Sequence, residues 1–517
     1  MNIAQFLGLP AALFEEQEIL VFGERRSTYA DLLKRVQRLG GALLAQGGAR
    51  GRTVAALGTN SDHYVEALYA TSAAGSTFVP LNYRAKRDEL AHMLRESRPA
   101  VLFVESRYLE LARDALKDAV QDPVLVGLDA CGEGIAHVAD WIASGDAIEI
   151  ADVDEEDIAI LMYTSGTTSL PKGVLLRHGD FSTYVTGAVE MADGESHGTA
   201  LVSVPFYHIA GLTSLLTTFW AGRKLVMLPQ FEARAWLERV SSEQVTHAFV
   251  VPTMLRRLLD EPAFDPAGLA SLESLAYGGA PMPFPVIRRA LERFPPTCGF
   301  VNAFGQTETT STLTMLGPED HRLTGEPLAD EIVLRRLRSI GKPLPDVELK
   351  IVDEAGLELA SGAVGEVVVR TSRTMKGYVG AVEGGALKEE DGFLHTRDLG
   401  WVDEEGYVFL AGRKDDMIIR GGENIAPAEI EAVISVHPAV EEVAVVGLAS
   451  EEWGQTIGAA VVLRIGASAT AAEIIEHSRA RLASFKKPDT VAFFEELPRN
   501  ALGKLLRNEL RAQLTAG

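Results

Sequence analysis

Residues 53 to 104 read TVAALGTNSDHYVEALYATSAAGSTFVPLNYRAKRDELAHMLRESRPAVLFV, and this stretch decides the fold class. Three short apolar runs, Val54 to Leu57, Phe78 to Leu81 and Val101 to Val104, are separated by helical stretches through His63 to Tyr69 and around Lys86 to Arg95. Strands alternating with helices argue for βαβ units and a largely parallel sheet, because each helix returns the chain to the same end of the sheet. Just upstream, Ser27 to Gly47 opens with Ser-Thr and places Leu32, Leu33, Val36, Leu39, Leu43 and Leu44 at helical spacing, with Gly47 and Gly48 as stop signals. That pattern predicts an amphipathic helix.

Alternation resumes after the acidic patch Asp152 to Asp157, with the apolar run Ile158 to Met162, and continues to about residue 310. Between roughly 340 and 411 the texture changes to short strands with turns, such as VELKIVD, GEVVVR and GYVFLAG, which predicts a smaller β-rich unit. Beyond Gly412 a basic, glycine-rich run, GRKDDMIIRGGENI, leads into a last alternating region. It reads as a helix near Ala428 to Val436, strands at Val443 to Val446 and Ala459 to Leu463, and a helix from Ala471 to Ala483. No internal repeat or low-complexity tract interrupts the chain.

At 517 residues the chain exceeds what one core usually supports, and its 47% apolar and 23% charged composition is that of a folded, multidomain protein. A formal charge of −23, from 72 acidic and 49 basic residues, opposes nucleic acid and anionic membranes as partners. A polyanionic substrate would therefore need backbone N–H groups, a few placed cations and a divalent metal. Two cysteines, Cys131 and Cys298, are too few for a disulfide framework or a thiolate metal cluster and fit a reducing compartment. The first residues lack a basic n-region, and no stretch approaches the ~20 apolar residues that span a bilayer, so a cytoplasmic protein without an integral membrane segment is expected.

The strongest local signal is Tyr163-Thr-Ser-Gly-Thr-Thr-Ser-Leu-Pro-Lys-Gly173, a strand running into a loop of hydroxyls and glycine that ends in a lysine. Glycine lets backbone approach an anion, exposed N–H groups and hydroxyls donate to phosphoryl oxygens, and Lys172 adds a point charge. A P-loop of the NTPase kind needs glycine before the lysine, and Pro171 stands there. On composition alone the stretch reads equally as a polar surface turn.

Seven motifs in order resemble the adenylate-forming acyl-CoA synthetases, which share a fold with firefly luciferase and the adenylation domains of peptide synthetases: TSGTTSLPKG, PFYH (205 to 208), YGGAPM (277 to 282), FGQTET (304 to 309), RDLGWVDEEGYVFLAGRKDD (397 to 416), RGGENIAPAEIE (420 to 431) and PRNALGKLLR (498 to 507). The resemblance spans Ser27 to Arg507. It implies an α/β protein with a large N-terminal domain, residues 1–411, made of two α/β subdomains and the β-rich unit. A hinge at 412–415 and a small mobile C-terminal α+β domain, 416–517, follow. It implies ATP, Mg²⁺ and coenzyme A as cosubstrates and cofactor, a small carboxylic acid as substrate, and is compatible with a homodimer.

Residue by residue, the resemblance implies that Thr164, Ser165, Gly166, Thr167, Thr168 and Lys172 close over the triphosphate. Thr167 and Glu308 would bind Mg²⁺, whose preference for hard oxygen ligands suits that pair. Ser169 stands where the family usually has glycine. Gly278, Gly279, Ala280 and Pro281 would form the adenine wall, and Asn302, Phe304 and Gly305 would belong to the same nucleotide site. Thr307 would contact the α-phosphate, Asp398 the ribose hydroxyls, and Arg413 ribose and phosphate. Asp398, read alone, favours a solvated turn acid. Lys504 is implied to stabilise charge during adenylation; without the family it reads as an exposed helix start. Asp415 would be the hinge residue, and Gly421, Gly422, Glu423, Trp453, Phe485 and Lys487 would contact CoA. The 19-residue spacing from Phe485 to Lys504 agrees with the aryl-CoA ligases, although an aromatic such as Phe485 also suits a core. His208, Gly211 and Gly279 would shape the acid pocket; a lone histidine is also commonly structural.

Apolar stretches at Ala248 to Leu255 and Thr309 to Leu316 flank that pocket, so a hydrophobic monocarboxylic acid, fatty or aromatic, is the expected substrate. An amine or a carrier-protein thiol is the alternative acceptor. A non-catalytic nucleotide-binding protein is disfavoured because Thr167, Glu308, Asp398, Arg413 and Lys504 all hold the functional residue type. An NAD-dependent oxidoreductase is disfavoured because no strand leads into a G-x-G-x-x-G turn.

Overall fold

Thr53–Leu57 pairs in parallel with Thr77–Leu81 on one side and Val101–Val104 on the other, and helices Asp62–Ala73 and Arg87–Ser97 make the crossovers. This is the arrangement that the alternation in residues 53–104 predicts. The structure, a computed structural model, describes the whole chain except residues 15, 121, 133, 165–169, 326, 381–390, 500–504 and 517. The amphipathic helix expected from Ser27 runs Tyr29–Ala45, started by Thr28, whose hydroxyl accepts the Asp31 N–H at 3.1 Å while Asp31 reaches back. Asp62–Ala73 is buried along its entire length. With every face covered it has no polar stripe, so periodicity marked only its middle.

The chain divides into two compact units. The first comprises Met1–Leu337, Pro343–Val347 and Thr371–Ala386. One of its sheets has eight strands in the order Gly377–Tyr378, Lys172–Arg177, Ile158–Thr164, Thr77–Leu81, Thr53–Leu57, Val101–Val104, Val124–Gly127 and Ala136–His137. The other runs Ser311–Leu316, Gly299–Gln306, Ser274–Gly278, His247–Val250, Thr199–Val202, Lys224–Met227, Glu18–Phe22 and Arg25–Thr28, parallel throughout its middle. Parallel strands point the same way, so the segments leaving their C-terminal ends gather along one edge. Three of the sequence motifs, PFYH, YGGAPM and FGQTET, occupy those ends in the second sheet.

The second unit comprises Arg338–Lys342, Glu348–Arg370 and Leu387–Gly517. Its first sheet is the expected β-rich stretch, four antiparallel strands in the order Glu348–Val352, Gly365–Arg370, Leu394–Val402 and Val408–Arg413. Its other sheet centres on a long hairpin, Val440–Ser450 with Gly454–Leu463. Alternation along that hairpin sends Val445, Ala459 and Val461 into one core with helices Pro427–Ser435 and Ala471–Arg479. Ala444, Val446 and Ala460 face the other way, toward Leu510 and Leu514 of the last helix. The strands extend beyond the expected Val443 to Val446 and Ala459 to Leu463 because backbone pairing continues through Gly454 and polar positions that an apolar run does not mark. The helix expected to reach Ala483 ends at Arg479. Among the described residues, no helix is long and apolar enough to cross a membrane.

Candidate active site

In the first unit, Ile158–Thr164 and Lys172–Arg177 form an antiparallel hairpin closed by the Thr164–Lys172 pair, so the hydroxyl-rich loop leaves and re-enters the sheet edge at one point. Ser165, Gly166, Thr167, Thr168 and Ser169 lie outside the described residues. Lys172 reaches over the ring of Tyr378, its Nζ 5.5 Å from the centroid. Gly377–Tyr378 adds to the same hairpin as an antiparallel edge strand.

Tyr378 also reaches the FGQTET segment. Its hydroxyl donates to Glu308 Oε1 at 2.9 Å, and the Met375 N–H donates to the Glu308 carbonyl at 2.8 Å. Thr307–Thr309 is a 3-10 turn followed by Thr310 and Ser311 in the left-handed region, with φ 50° and 83°. Two successive non-glycine residues there carry strain, which persists only when the surroundings impose it. Arg373, 1% exposed, imposes it: its guanidinium donates to the Thr309 carbonyl at 2.9 Å and to Asp346 at 2.6 Å, and its own carbonyl accepts from the Thr310 hydroxyl at 3.0 Å. Arg177 donates to the carbonyls of Ser372 and Thr374. Residues 371–379 thus brace the hairpin of Ile158–Thr164 and Lys172–Arg177 against the turn that carries Thr307 and Glu308. Sequence reasoning missed Arg373 and Tyr378 because their partners are distant in the chain.

The glycines of this region do different jobs. A Cβ on Gly278 would lie 2.1 Å from the Ala303 carbonyl oxygen, and one on Gly305 1.8 Å from that of Ser311. At both positions a neighbouring strand approaches too closely to admit a Cβ. Gly279, at φ 78°, has only Val251 within reach, at 3.6 Å, and with Ala280 and Pro281 borders open space after its strand. Asn302, Phe304 and Gly305 lie on the adjoining strand Gly299–Gln306. Gly211 is likewise dictated by packing: its Cβ would sit 2.4 Å from the Pro205 carbonyl oxygen, where helix Ile209–Trp220 starts against the PFYH segment.

His208 precedes that helix, its ring 4.2 Å from Tyr207. Its Nε2 is buried, with no hydrogen-bond partner among the described residues. Burial, helped by the Arg84 charge, pushes its pKa down to about 3, so it is a neutral imidazole at neutral pH. Tyr207 in turn meets Tyr83 edge-on at 5.1 Å, and Tyr83 stacks on Tyr108 at 5.6 Å. The phenol oxygens of Tyr83 and Tyr207 are buried, with no hydrogen-bond partner among the described residues. Of this aromatic wall only Tyr207 fell within a motif, PFYH; Tyr83 and Tyr108 were missed because their aromatic partners are distant in the chain.

In the second unit, Asp398 and Arg413 are directly opposite on neighbouring strands, with Arg413 Nε 3.6 Å from Asp398 Oδ1. Asp398 is 7% exposed, which removes the solvated-turn reading. Arg397 has φ 61°, and its guanidinium grips the Asp415 carboxylate, with Nε 2.9 Å from Oδ2. Asp415 itself sits in the 3-10 turn Lys414–Asp416. Gly421 and Gly422, at φ 58° and 86°, make the two-residue turn between Ile418–Arg420 and Glu423–Ile425. Trp453 and Phe485 are 45% and 39% exposed, so the core reading of Phe485 does not hold. Lys487 follows the turn Ser484–Lys486. Lys504 lies outside the described residues; on either side of it, Arg499 and Leu505 form an antiparallel bridge.

Residues 10–379 match the family of AMP-binding enzymes, and residues 429–504 match the AMP-binding enzyme C-terminal domain. An indoleacetate–CoA ligase of Aromatoleum aromaticum is 35% identical over 519 aligned residues, covering 100% of this chain and 98% of that protein. A fatty acid–[acyl-carrier-protein] ligase of Streptomyces coeruleorubidus is 36% identical, covering 94% of this chain and 91% of its own length. The o-succinylbenzoate CoA synthetase of Bacillus subtilis, solved with its acyl-adenylate intermediate, superposes with a TM-score of 0.83 at 30% identity over 98% of this chain and 97% of that one.

Proposed function

The chain belongs to the AMP-binding enzyme family and is an ATP-dependent acid–thiol ligase, and from that premise we propose how its residues divide the reaction. The acid's carboxylate oxygen attacks the α-phosphorus of ATP, the bond to the β-phosphate oxygen breaks, and pyrophosphate leaves. The CoA thiol, losing its proton, then attacks the acyl carbon, and AMP leaves with the electrons of the acyl–phosphate bond.

The observation that carries this assignment is the bracing of Lys172 and Glu308 by one segment, through Tyr378. Phosphoryl transfer is mostly positioning and charge stabilisation, so a lysine and a carboxylate held on a shared tyrosine suit it. The residues 164–172 take the triphosphate, Thr307 the α-phosphate, Gly279 to Pro281 with Asn302 and Phe304 the adenine, and Asp398 with Arg413 the ribose. Lys504 offsets charge on the attacking and leaving oxygens during adenylation.

Glu308 fits a hard cation. It is an oxygen ligand, part-buried, with one oxygen already oriented by Tyr378. Mg²⁺ would be held by Glu308 and Thr167 and would screen the β- and γ-phosphates when bound.

The acid is a hydrophobic monocarboxylate, fatty or aromatic. Tyr83 and Tyr207 continue an aromatic wall beside His208, which suits an acid with an apolar body. The two half-reactions need different groups at one carbonyl carbon, so residues 416–517 rotate about a hinge at 412–415, centred on Asp415, to exchange Lys504 for the thiol channel. Gly421, Gly422, Glu423, Trp453, Phe485 and Lys487 border that channel. The location is cytoplasmic, in keeping with unpaired Cys131 and Cys298.

Pyrophosphate release with ATP and Mg²⁺, measured against straight-chain, branched and aromatic acids with and without CoA, tests the proposal. Acid-dependent release that accelerates with CoA supports it. Release indifferent to CoA moves the acceptor to a carrier-protein thiol or an amine, and release unaffected by any acid overturns it.

A further inference from the structure

The two-glycine turn Gly421-Gly422 joins strands of only three residues each, Ile418–Arg420 and Glu423–Ile425. So short a hairpin, tipped by two glycines, has little intrinsic stiffness. Besides pairing of Arg420 with Gly454 and the Ile419 N–H bond to Gln455, its base is held by the Arg420 side chain. Arg420 is 13% exposed, and its guanidinium makes three contacts in three different segments. Nη2 donates to Asp489 Oδ1 at 2.8 Å, Nη1 donates to the Phe485 carbonyl at 3.0 Å, and the group lies 5.8 Å from the ring of Trp453.

The far ends of those contacts are themselves anchored. The second carboxylate oxygen of Asp489 accepts the Ile457 N–H at 2.9 Å, and the Asp489 N–H donates to the Ile457 carbonyl at 2.8 Å, which ties it to the central strand Gly454–Leu463. Gly421 N–H donates to the Trp453 carbonyl at 2.9 Å, and a Cβ on Gly421 would press the Trp453 ring at 3.1 Å. The result is that the glycine turn's base, an exposed indole and the backbone of an exposed phenylalanine meet at a single planar cation. Two large exposed aromatics on segments tied to that cation suit a flat ring, and Lys487, two residues after Phe485, suits a phosphate.

Resting on the reading of the chain as a CoA ligase, we propose that Arg420 is the positioning residue of the acceptor site: its ion pair with Asp489 holds Trp453, Phe485 and the Gly421-Gly422 turn in the geometry that receives the nucleotide end of CoA. Arg420 acts through these neighbours rather than on the thioester chemistry. A guanidinium is required because its rigid fork can satisfy a carboxylate and a carbonyl while its face meets an indole, whereas an ammonium is a point charge.

Steady-state kinetics of the full chain test this. Arg420→Gln and Asp489→Asn are each expected to raise KM for CoA about tenfold while KM for ATP stays within about twofold, and the double variant to raise it by the same tenfold rather than a hundredfold, because both remove one interaction. Arg420→Lys is expected to recover only part of the loss. KM for CoA within twofold of the unaltered enzyme overturns the proposal, as does an equal rise in KM for CoA and ATP, which would mark a merely structural role. If Arg420→Gln does not fold, Asp489→Asn carries the same test, since its amide oxygen can still accept the Ile457 N–H. An unaltered enzyme that turns over only with a carrier-protein thiol overturns the CoA reading, and the KM comparison is then made against that thiol; CoA turnover without the KM change overturns the clamp alone.

Discussion

The hydroxyl of Tyr378 donates a 2.9 Å hydrogen bond to Oε1 of Glu308, two residues 70 positions apart in the chain. The same ring lies under Nζ of Lys172 at 5.5 Å. One side chain therefore sets the distance between a carboxylate suited to a metal and a lysine suited to phosphate. Removing the hydroxyl with Tyr378→Phe leaves the ring and frees the carboxylate. A hydrogen bond to a charged group contributes about 1.5–3 kcal/mol, and partial exposure of Glu308 favours the low end, so adenylation at limiting Mg²⁺ should fall about tenfold. Pyrophosphate release titrated with Mg²⁺ reads this; an unchanged Mg²⁺ dependence would detach Tyr378 from the site.

Lys504→Ala should nearly abolish adenylate formation yet spare thioester formation from supplied acyl adenylate. The two half-reactions are measured separately, as pyrophosphate release and as CoA consumption. Equal loss in both would refute a half-reaction-specific role.

Asp415→Pro should impair mainly the thioester step by stiffening the hinge backbone. It also removes the partner of Arg397. Asp415→Ala loses the ion pair but not the backbone freedom, so thioester formation should be slowed more by proline than by alanine. Equal slowing would place the effect in the Arg397 contact.

Arg373→Leu should cost about 2–4 kcal/mol, because the Thr309 carbonyl loses its buried donor and the strained turn at Thr310 and Ser311 loses its brace. Denaturant unfolding measures the loss. Adenylation should fall further than stability explains, since Glu308 sits in the same turn. A variant as stable and as active as the parent would contradict the bracing role.

Buried histidines should make the protein acid-sensitive. His321 is held neutral between the Tyr277 hydroxyl at 2.9 Å and the Gly317 carbonyl at 2.7 Å, and burial pushes its pKa down to about 4. His178 and His247 are also pushed down to about 4 by burial. The unfolded chain, with histidine near 6.5, binds more protons than the folded one below that pH, so stability is full above about 6.5 and declines toward 4. Each such group contributes a slope of about 1.4 kcal/mol per pH unit across that window. Melting temperatures between pH 7 and 4.5 test this, and His321→Gln should flatten the curve; an identical slope would remove His321 from the account.

What the sequence determined by itself is local in origin. Parallel α/β layering followed from apolar runs alternating with helical periods in residues 53–104, because strand and helix periodicities are properties of neighbouring residues. The family resemblance followed from motifs that are each contiguous. The tertiary structure decided which of those motif residues have partners. Gly278, Gly211 and Gly305 are glycine because a neighbouring backbone leaves no room for a Cβ. Asp398 is buried opposite Arg413, whereas Phe485 is exposed. Arg373 and Tyr378 carried no local signal at all, since an arginine or tyrosine in a polar stretch looks like any solvated residue, and Arg420, although it opens the RGGENIAPAEIE motif, carried none that pointed to Asp489. Their roles exist only because folding brings Thr309, Glu308 and Asp489 within hydrogen-bond range, and hydrogen bonds reach about 3 Å in space whatever the separation along the chain.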